Sequence, residues 1–161
     1  MSTLEDNLAQ LVTRGGIYYR VSGLAKQEIV SNIIDNLPAL FPQKRKALSQ
    51  AVMEREALVS TGIENGIALP HPRTPMLEGS EDPFVAIAFP LQPLDWGTPD
   101  NSKVHAVFLI VSKSPKQHLG VFSKINFLCQ QKNFSSLLST QAAKEKIIAA
   151  IEEAEKDWGE K

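Results

Sequence analysis

The chain is 161 residues long, 43% hydrophobic and 22% charged, with a formal net charge of −1 at pH 7. That size suits one domain over residues 1–161 around a single core, and a near-neutral balance without an extended basic run argues against a nucleic-acid partner. No apolar run approaches the ~18 residues of a membrane helix, no signal-peptide pattern opens the chain, and the lone Cys129 excludes an intrachain disulfide framework, so the expectation is a cytoplasmic protein without membrane insertion.

In chain order, Leu4, Leu8, Leu11 and Val12 recur at helical spacing until Gly15-Gly16 stops the helix. Ile17-Tyr18-Tyr19-Arg20-Val21 is β-branched and aromatic and predicts a strand. From about Ala25 to Leu37, Ile29, Ile33, Ile34 and Leu37 mark an amphipathic helix closed near Pro38. Pro42-Gln43 opens a second helix, ending near Leu58, with Leu48, Val52 and Met53 inward. The Lys44-Arg45-Lys46 cluster at its start reads as a solvated face, too short for a basic patch. A Ser-Thr-Gly corner then leads to the short apolar run Ile67-Ala68-Leu69.

Beyond a polar loop from Arg73 to Pro83, Phe84 to Phe89 is a continuous apolar run closed by Pro90, the pattern of a strand buried on both faces. Val104 to Val111 predicts another such strand, with His105 inside it and structural. Ser114-Pro115 starts a helix carrying His118, Phe122, Ile125 and Leu128, and Phe134-Ser-Ser-Leu-Leu gives a short helix. Ala142 to Trp158 is the last, with Ile147, Ile148 and Ile151 inward. At least four strands among helices imply an α/β domain with a central mixed sheet flanked by helices. Cys129, inside an apolar run, reads as an inert packed thiol.

The stretch that carries chemistry runs from Arg55 to Arg73. His71 sits between Pro70 and Pro72, and each proline fixes its own φ and biases the residue before it toward extended geometry. An imidazole held so at a strand end is suited to presentation rather than to core filling, although a histidine that merely follows a strand is the plainer reading. Gly62 and Gly66 allow positive φ or close approach to the backbone. Cofactor motifs are missing: no Walker loop, no GxGxxG and no CxxC occurs, so no cofactor is expected. Two histidines without a third obvious ligand imply no metal site.

Arg55-Glu-Ala-Leu-Val-Ser-Thr-Gly-Ile-Glu-Asn-Gly-Ile-Ala-Leu-Pro-His71 resembles the phosphorylation-site segment of type 2 EIIA domains, in the mannitol, fructose and nitrogen-regulatory branch of the phosphoenolpyruvate-dependent phosphotransferase system. The resemblance implies the sheet-and-helix fold of those domains, with the active histidine at the sheet edge. It makes His71 the phosphoryl acceptor, with His118 and Arg55 stabilising charge, and Thr61 and Arg73 in the wider phosphate neighbourhood. Asp95 is a weaker candidate whose default role is turn formation. Neutral imidazole is a competent nucleophile near pH 7, guanidinium is a fork of donors that stays ionised, and the helix start before His118 offers a positive dipole end.

By the same resemblance the donor would be HPr or a nitrogen-branch relative of it, and the recipient an EIIB domain or a regulatory target protein. The implied function is a nitrogen-regulatory, EIIA-like phosphocarrier. The alternatives are a sugar-transport EIIA donating to a fructose- or mannitol-type EIIB, and a regulatory binding module without transfer activity. One departure stands out: many such domains continue His-Gly-Lys, whereas this chain has His71-Pro72-Arg73-Thr74-Pro75, and Pro72 removes one backbone donor near the site.

Overall fold

The computed structural model describes residues 7–38 and 42–159, so Leu4 of the first expected helix lies outside the described residues. In chain order the elements are α1 (Leu8–Gly15), β1 (Ile17–Val21), α2 (Lys26–Asp35), α3 (Pro42–Leu58), β2 (Gly62–Ile63), β3 (Ile67–Ala68), β4 (Phe84–Pro90), β5 (Ala106–Val111), α4 (Pro115–Gln130), α5 (Lys132–Ser139) and α6 (Lys144–Gly159). The sheet order is β1-β4-β5-β3-β2. β1 and β4 are parallel, as are β3 and β5, while β4 with β5 and β2 with β3 are antiparallel, so the sheet is mixed as expected.

β4 and β5 are buried along their whole length. Their alternate residues feed two apolar cores, as the two-residue period of a strand requires. Val85, Ile87, Phe89, Phe108 and Ile110 join α1, α4, α5 and α6 on one face. Phe84, Ala86, Ala88, Val107, Leu109 and Val111 join α2 and α3 on the other. Helices therefore cover both faces. Cys129 is fully buried in the first core, and burial pushes its thiol up to about 12. No helix among the described residues is long and apolar enough to cross a membrane.

Three details differ from the sequence-based expectation. β2 is a strand that the Ser-Thr-Gly corner conceals, because it has only two paired residues and one is glycine. His105 lies just before β5 rather than inside a strand, since Val104 pairs with Leu94 and the ladder with β4 starts after it. Lys44 and Arg45 are not a solvated face. Lys44 Nζ donates to Met76 O at 3.0 Å and to Glu81 Oε1 at 2.6 Å, tying α3 to the loop after the histidine. Arg45 donates to Ile34 O and Leu37 O, satisfying carbonyls at the end of α2.

A hairpin turn places the histidine segment. Asn65 and Gly66 between β2 and β3 both have positive φ, 66° and 75°. Gly66 has a second reason to be glycine: a Cβ there would lie 2.5 Å from His105 Nδ1 and 2.7 Å from Lys103 O. The 98–105 segment grips the turn from outside. Asp100 Oδ2 accepts from Asn65 N at 3.1 Å, Ser102 Oγ from Gly66 N at 2.9 Å, and Gly66 O from His105 N at 2.9 Å. Beyond β3, Pro70 O accepts from Ile110 N at 3.0 Å, so the chain leading into His71 stays pinned to the central strand.

Candidate active site

His71 follows β3, one strand in from the edge strand β2, and is only 8% exposed. It is thus more covered than a presented surface imidazole would be. Its Nδ1 is 2.8 Å from Leu69 O. A carbonyl oxygen can only accept, so in the neutral ring Nδ1 carries the proton and Nε2 the lone pair. Among the described residues the buried side-chain polar atom left without a partner is His105 Nε2. The Nε2 of His71, unpartnered among the described residues, is therefore not sealed from solvent.

His118, in the first turn of α4, lies against it, with ring centroids 4.4 Å apart and planes at 44°. Phe122, one turn further along α4, touches both rings at 6.2 Å and 5.9 Å. Burial lowers the proton affinity of His71 below the ordinary histidine value; the Leu69 hydrogen bond and the Glu56 charge oppose this, and the Arg55 charge adds to it. His118 is pushed down to about 4 by burial first, then by the charges of His71 and Arg55. Both rings are neutral at pH 7, which suits one as nucleophile and the other as hydrogen-bond donor.

Arg55, in the last turn of α3, donates from Nη1 to Val59 O at 2.6 Å, and its charge acts on both imidazoles. The structure thus brings together His71, His118 and Arg55. Arg73 is exposed and lines, with His118, a depression of about 270 Å³ between the Pro72–Pro75 segment and the start of α4. Thr61 is buried, and its hydroxyl donates to Glu56 Oε1 at 2.5 Å, so it reaches the histidine segment only through its backbone. Asp95 accepts from Gly97 N at 3.0 Å in a turn.

The start of α4 offers less to an anion than its dipole suggests. Ser114 Oγ caps Gln117 N, Ser114 O accepts from His118 N, and Pro115 has no N–H. At most the Lys116 amide of that turn is left for a ligand. Among the described residues no group of three His, Cys, Asp or Glu side chains is placed to hold a metal ion.

Glu56 as an acceptor, with Lys26 and Trp96 among its donors, escaped the sequence reading, which singled out only Thr61 of this cluster. The carboxylate is buried beneath the site and accepts from Thr61 N, Trp96 Nε1 and Lys26 Nζ as well as from the Thr61 hydroxyl. Position alone could have drawn attention to it, since an acidic residue beside Arg55 lies on the inner side of α3 wherever Val52 does, four residues earlier.

The model of a family described as "Phosphoenolpyruvate-dependent sugar phosphotransferase system, EIIA 2" matches residues 10–154. The nitrogen regulatory protein of Pseudomonas aeruginosa is 29% identical over 121 residues, 73% of this chain and 77% of that protein. The fructose-specific EIIABC component of Bacillus subtilis is 25% identical over 152 residues; the match takes in 92% of this chain but spans only 24% of that longer protein. Among solved structures, the nitrogen regulatory protein IIA-Ntr of Neisseria meningitidis superposes with a TM-score of 0.74 at 22% identity, covering 89% of this chain and 97% of that one. The mannitol IIA of Escherichia coli gives 0.66 at 14% identity, covering 85% and 96%. At those identities the two structures speak for the fold alone.

Proposed function

The chain belongs to the EIIA type 2 family of the phosphoenolpyruvate-dependent sugar phosphotransferase system, and from that membership we propose that it is a phosphocarrier that accepts a phosphoryl group on Nε2 of His71. The observation that carries the reading is the 2.8 Å hydrogen bond from Nδ1 to Leu69 O. It commits the ring proton to one nitrogen and leaves the other as a nucleophile. In the transfer, the Nε2 lone pair attacks phosphorus while the P–N bond of a donor phosphohistidine breaks and its electron pair returns to the donor ring. His118 offers a ring N–H to the phosphoryl oxygens, and Arg55 supplies a fixed positive charge beside them. Neither role needs a metal ion. Arg73, exposed and lining the same depression as His118, would meet the donor or recipient as it docks.

The donor of this reading is HPr or a nitrogen-branch relative, and the recipient is an EIIB domain or a regulatory target. The nitrogen-regulatory relative matches over most of its own length, which favours the regulatory branch. A phosphoryl group adds about −1.5 to −2 charge. Placed beside exposed Leu119, which lines the depression next to His118, it would change what that surface can bind. Donation to a sugar-specific EIIB is the second reading, supported by the fructose-specific relative and by the known complex of mannitol IIA with phosphorylated IIB from Escherichia coli. Incubation with phosphoenolpyruvate, enzyme I and HPr or its relative, followed by intact mass, tests the common step. One phosphoryl group per chain supports it, and an unchanged mass with every donor contradicts it.

A further inference from the structure

We infer that Glu56 is a positioning residue for this site, holding the segment that orients the His71 ring through a continuous line of hydrogen bonds. The inference rests on the phosphocarrier reading for its kinetic consequence, but not for its geometry. Glu56 sits in the last turns of α3 with its side chain 1% exposed. A buried carboxylate is costly unless its oxygens are well supplied with donors. Here Oε2 accepts from Lys26 Nζ at 2.9 Å, Thr61 N at 2.9 Å and Trp96 Nε1 at 3.1 Å, and Oε1 accepts from Thr61 Oγ1 at 2.5 Å.

Those donors come from three separate stretches: the start of α2, the corner after α3, and the 94–104 excursion. Lys26 Nζ and Ser60 Oγ also donate to Trp96 O, at 3.3 Å and 2.5 Å, so the same stretches are bound twice. From Thr61 the line continues toward the histidine. Thr61 O accepts from Leu69 N at 3.0 Å, and Leu69 O accepts from His71 Nδ1 at 2.8 Å. Every link before the imidazole is a side chain or backbone group fixed by burial. The last link selects which ring nitrogen is free. A carboxylate is suited to the head of this line because it accepts hydrogen bonds and donates none, so all four donors that meet it are satisfied at once.

An apolar residue would fill the space under α3 without fixing the corner at Thr61. Glu56→Gln tests the difference, since it keeps shape but replaces one acceptor oxygen by a donor and removes the charge facing Lys26. Thr61→Val is the second variant, removing only the hydroxyl link while leaving the Thr61 amide and carbonyl in place. Two readouts apply to each variant once far-UV circular dichroism shows it folded. The first is the tautomer of His71, read from ring ¹⁵N shifts at neutral pH. The wild type is expected to show the Nδ1–H form, and Glu56→Gln a mixture in which the Nε2–H form appears, with a smaller change in Thr61→Val.

The second readout is phosphoryl uptake from phosphorylated HPr. A misdirected nucleophile should lower kcat on the order of tenfold or more in Glu56→Gln, with KM for the donor unchanged because the docking surface is untouched. If Glu56→Gln folds and keeps both the wild-type tautomer and the wild-type rate, the positioning role is wrong. If it does not fold, Thr61→Val decides: an unchanged tautomer and rate there overturns the inference. A wild-type protein that takes up no phosphoryl group would sink the phosphocarrier reading, yet the tautomer measurement would still decide the role of Glu56.

Discussion

At the scale of single residues, two neutral imidazoles take different tasks in the proposed transfer. His71→Ala should abolish acid-labile phosphorylation while near-native circular dichroism is retained, because the ring is at a strand end and not at the centre of either core. Arg55→Ala and His118→Ala should each slow uptake by ~10²–10³, the usual effect of removing one preorganised charge-stabilising group, while His71 is still labelled. Rates of phosphoryl uptake measured against time and donor concentration check both; unchanged kinetics would return the two residues to structural roles. The pH dependence follows from the depressed proton affinity of His71. Uptake should hold its rate as pH falls through 6.5, the ordinary histidine value, and decline only below it. A half-maximal rate at or above pH 6.5 would contradict the buried, neutral ring.

At the scale of elements, the β2–β3 hairpin decides where His71 sits. Gly66→Ala forces a side chain into a positive-φ position and against His105 and the Lys103 carbonyl. The expected loss is at least ~1–3 kcal/mol, measured by chemical denaturation, with uptake slowed in the folded fraction because β3 leads straight into the site. A variant as stable and as active as wild type would show that the turn does not position the histidine. This hairpin also marks where reading the sequence stops. The helices and β4 and β5 were legible from their periodicity and unbroken apolar runs, and the Pro-His-Pro segment was legible as a special place. β2 was not, because two residues carry no pattern. Nor was the Lys44 and Arg45 bonding, since a basic cluster gives no hint that its partners are backbone carbonyls. The approach of His118 to His71 entered only by resemblance, for their contact joins segments far apart in the chain.

At the scale of the whole molecule, a sheet covered on both faces gives the site its rigidity. Phe108, on the central strand and 1% exposed, is packed in the core beneath α4. Phe108→Ala should cost ~3–5 kcal/mol and loosen the seating of α4, which carries His118. A denaturation midpoint near that of wild type would contradict the packing of α4 on the central strand. All three histidines have proton affinities lowered mainly by burial. The unfolded chain therefore binds more protons than the folded one below pH 6.5, so stability is full above that value and falls as pH drops toward about 4. Thermal melting between pH 7 and pH 4 should show this decline, with part of it removed in His118→Asn.

On the phosphocarrier reading, the Leu69 carbonyl holds the proton on Nδ1 and so directs chemistry to Nε2 of His71. The most direct measurement is ¹H–¹⁵N and ³¹P NMR of the ring-labelled protein after phosphorylation by phosphoenolpyruvate, enzyme I and HPr or its relative. The expected result is one phosphoryl group bonded to Nε2 of His71, with Nδ1 still protonated and hydrogen-bonded. A phosphoryl group on Nδ1 of His71, or on His118, would contradict it.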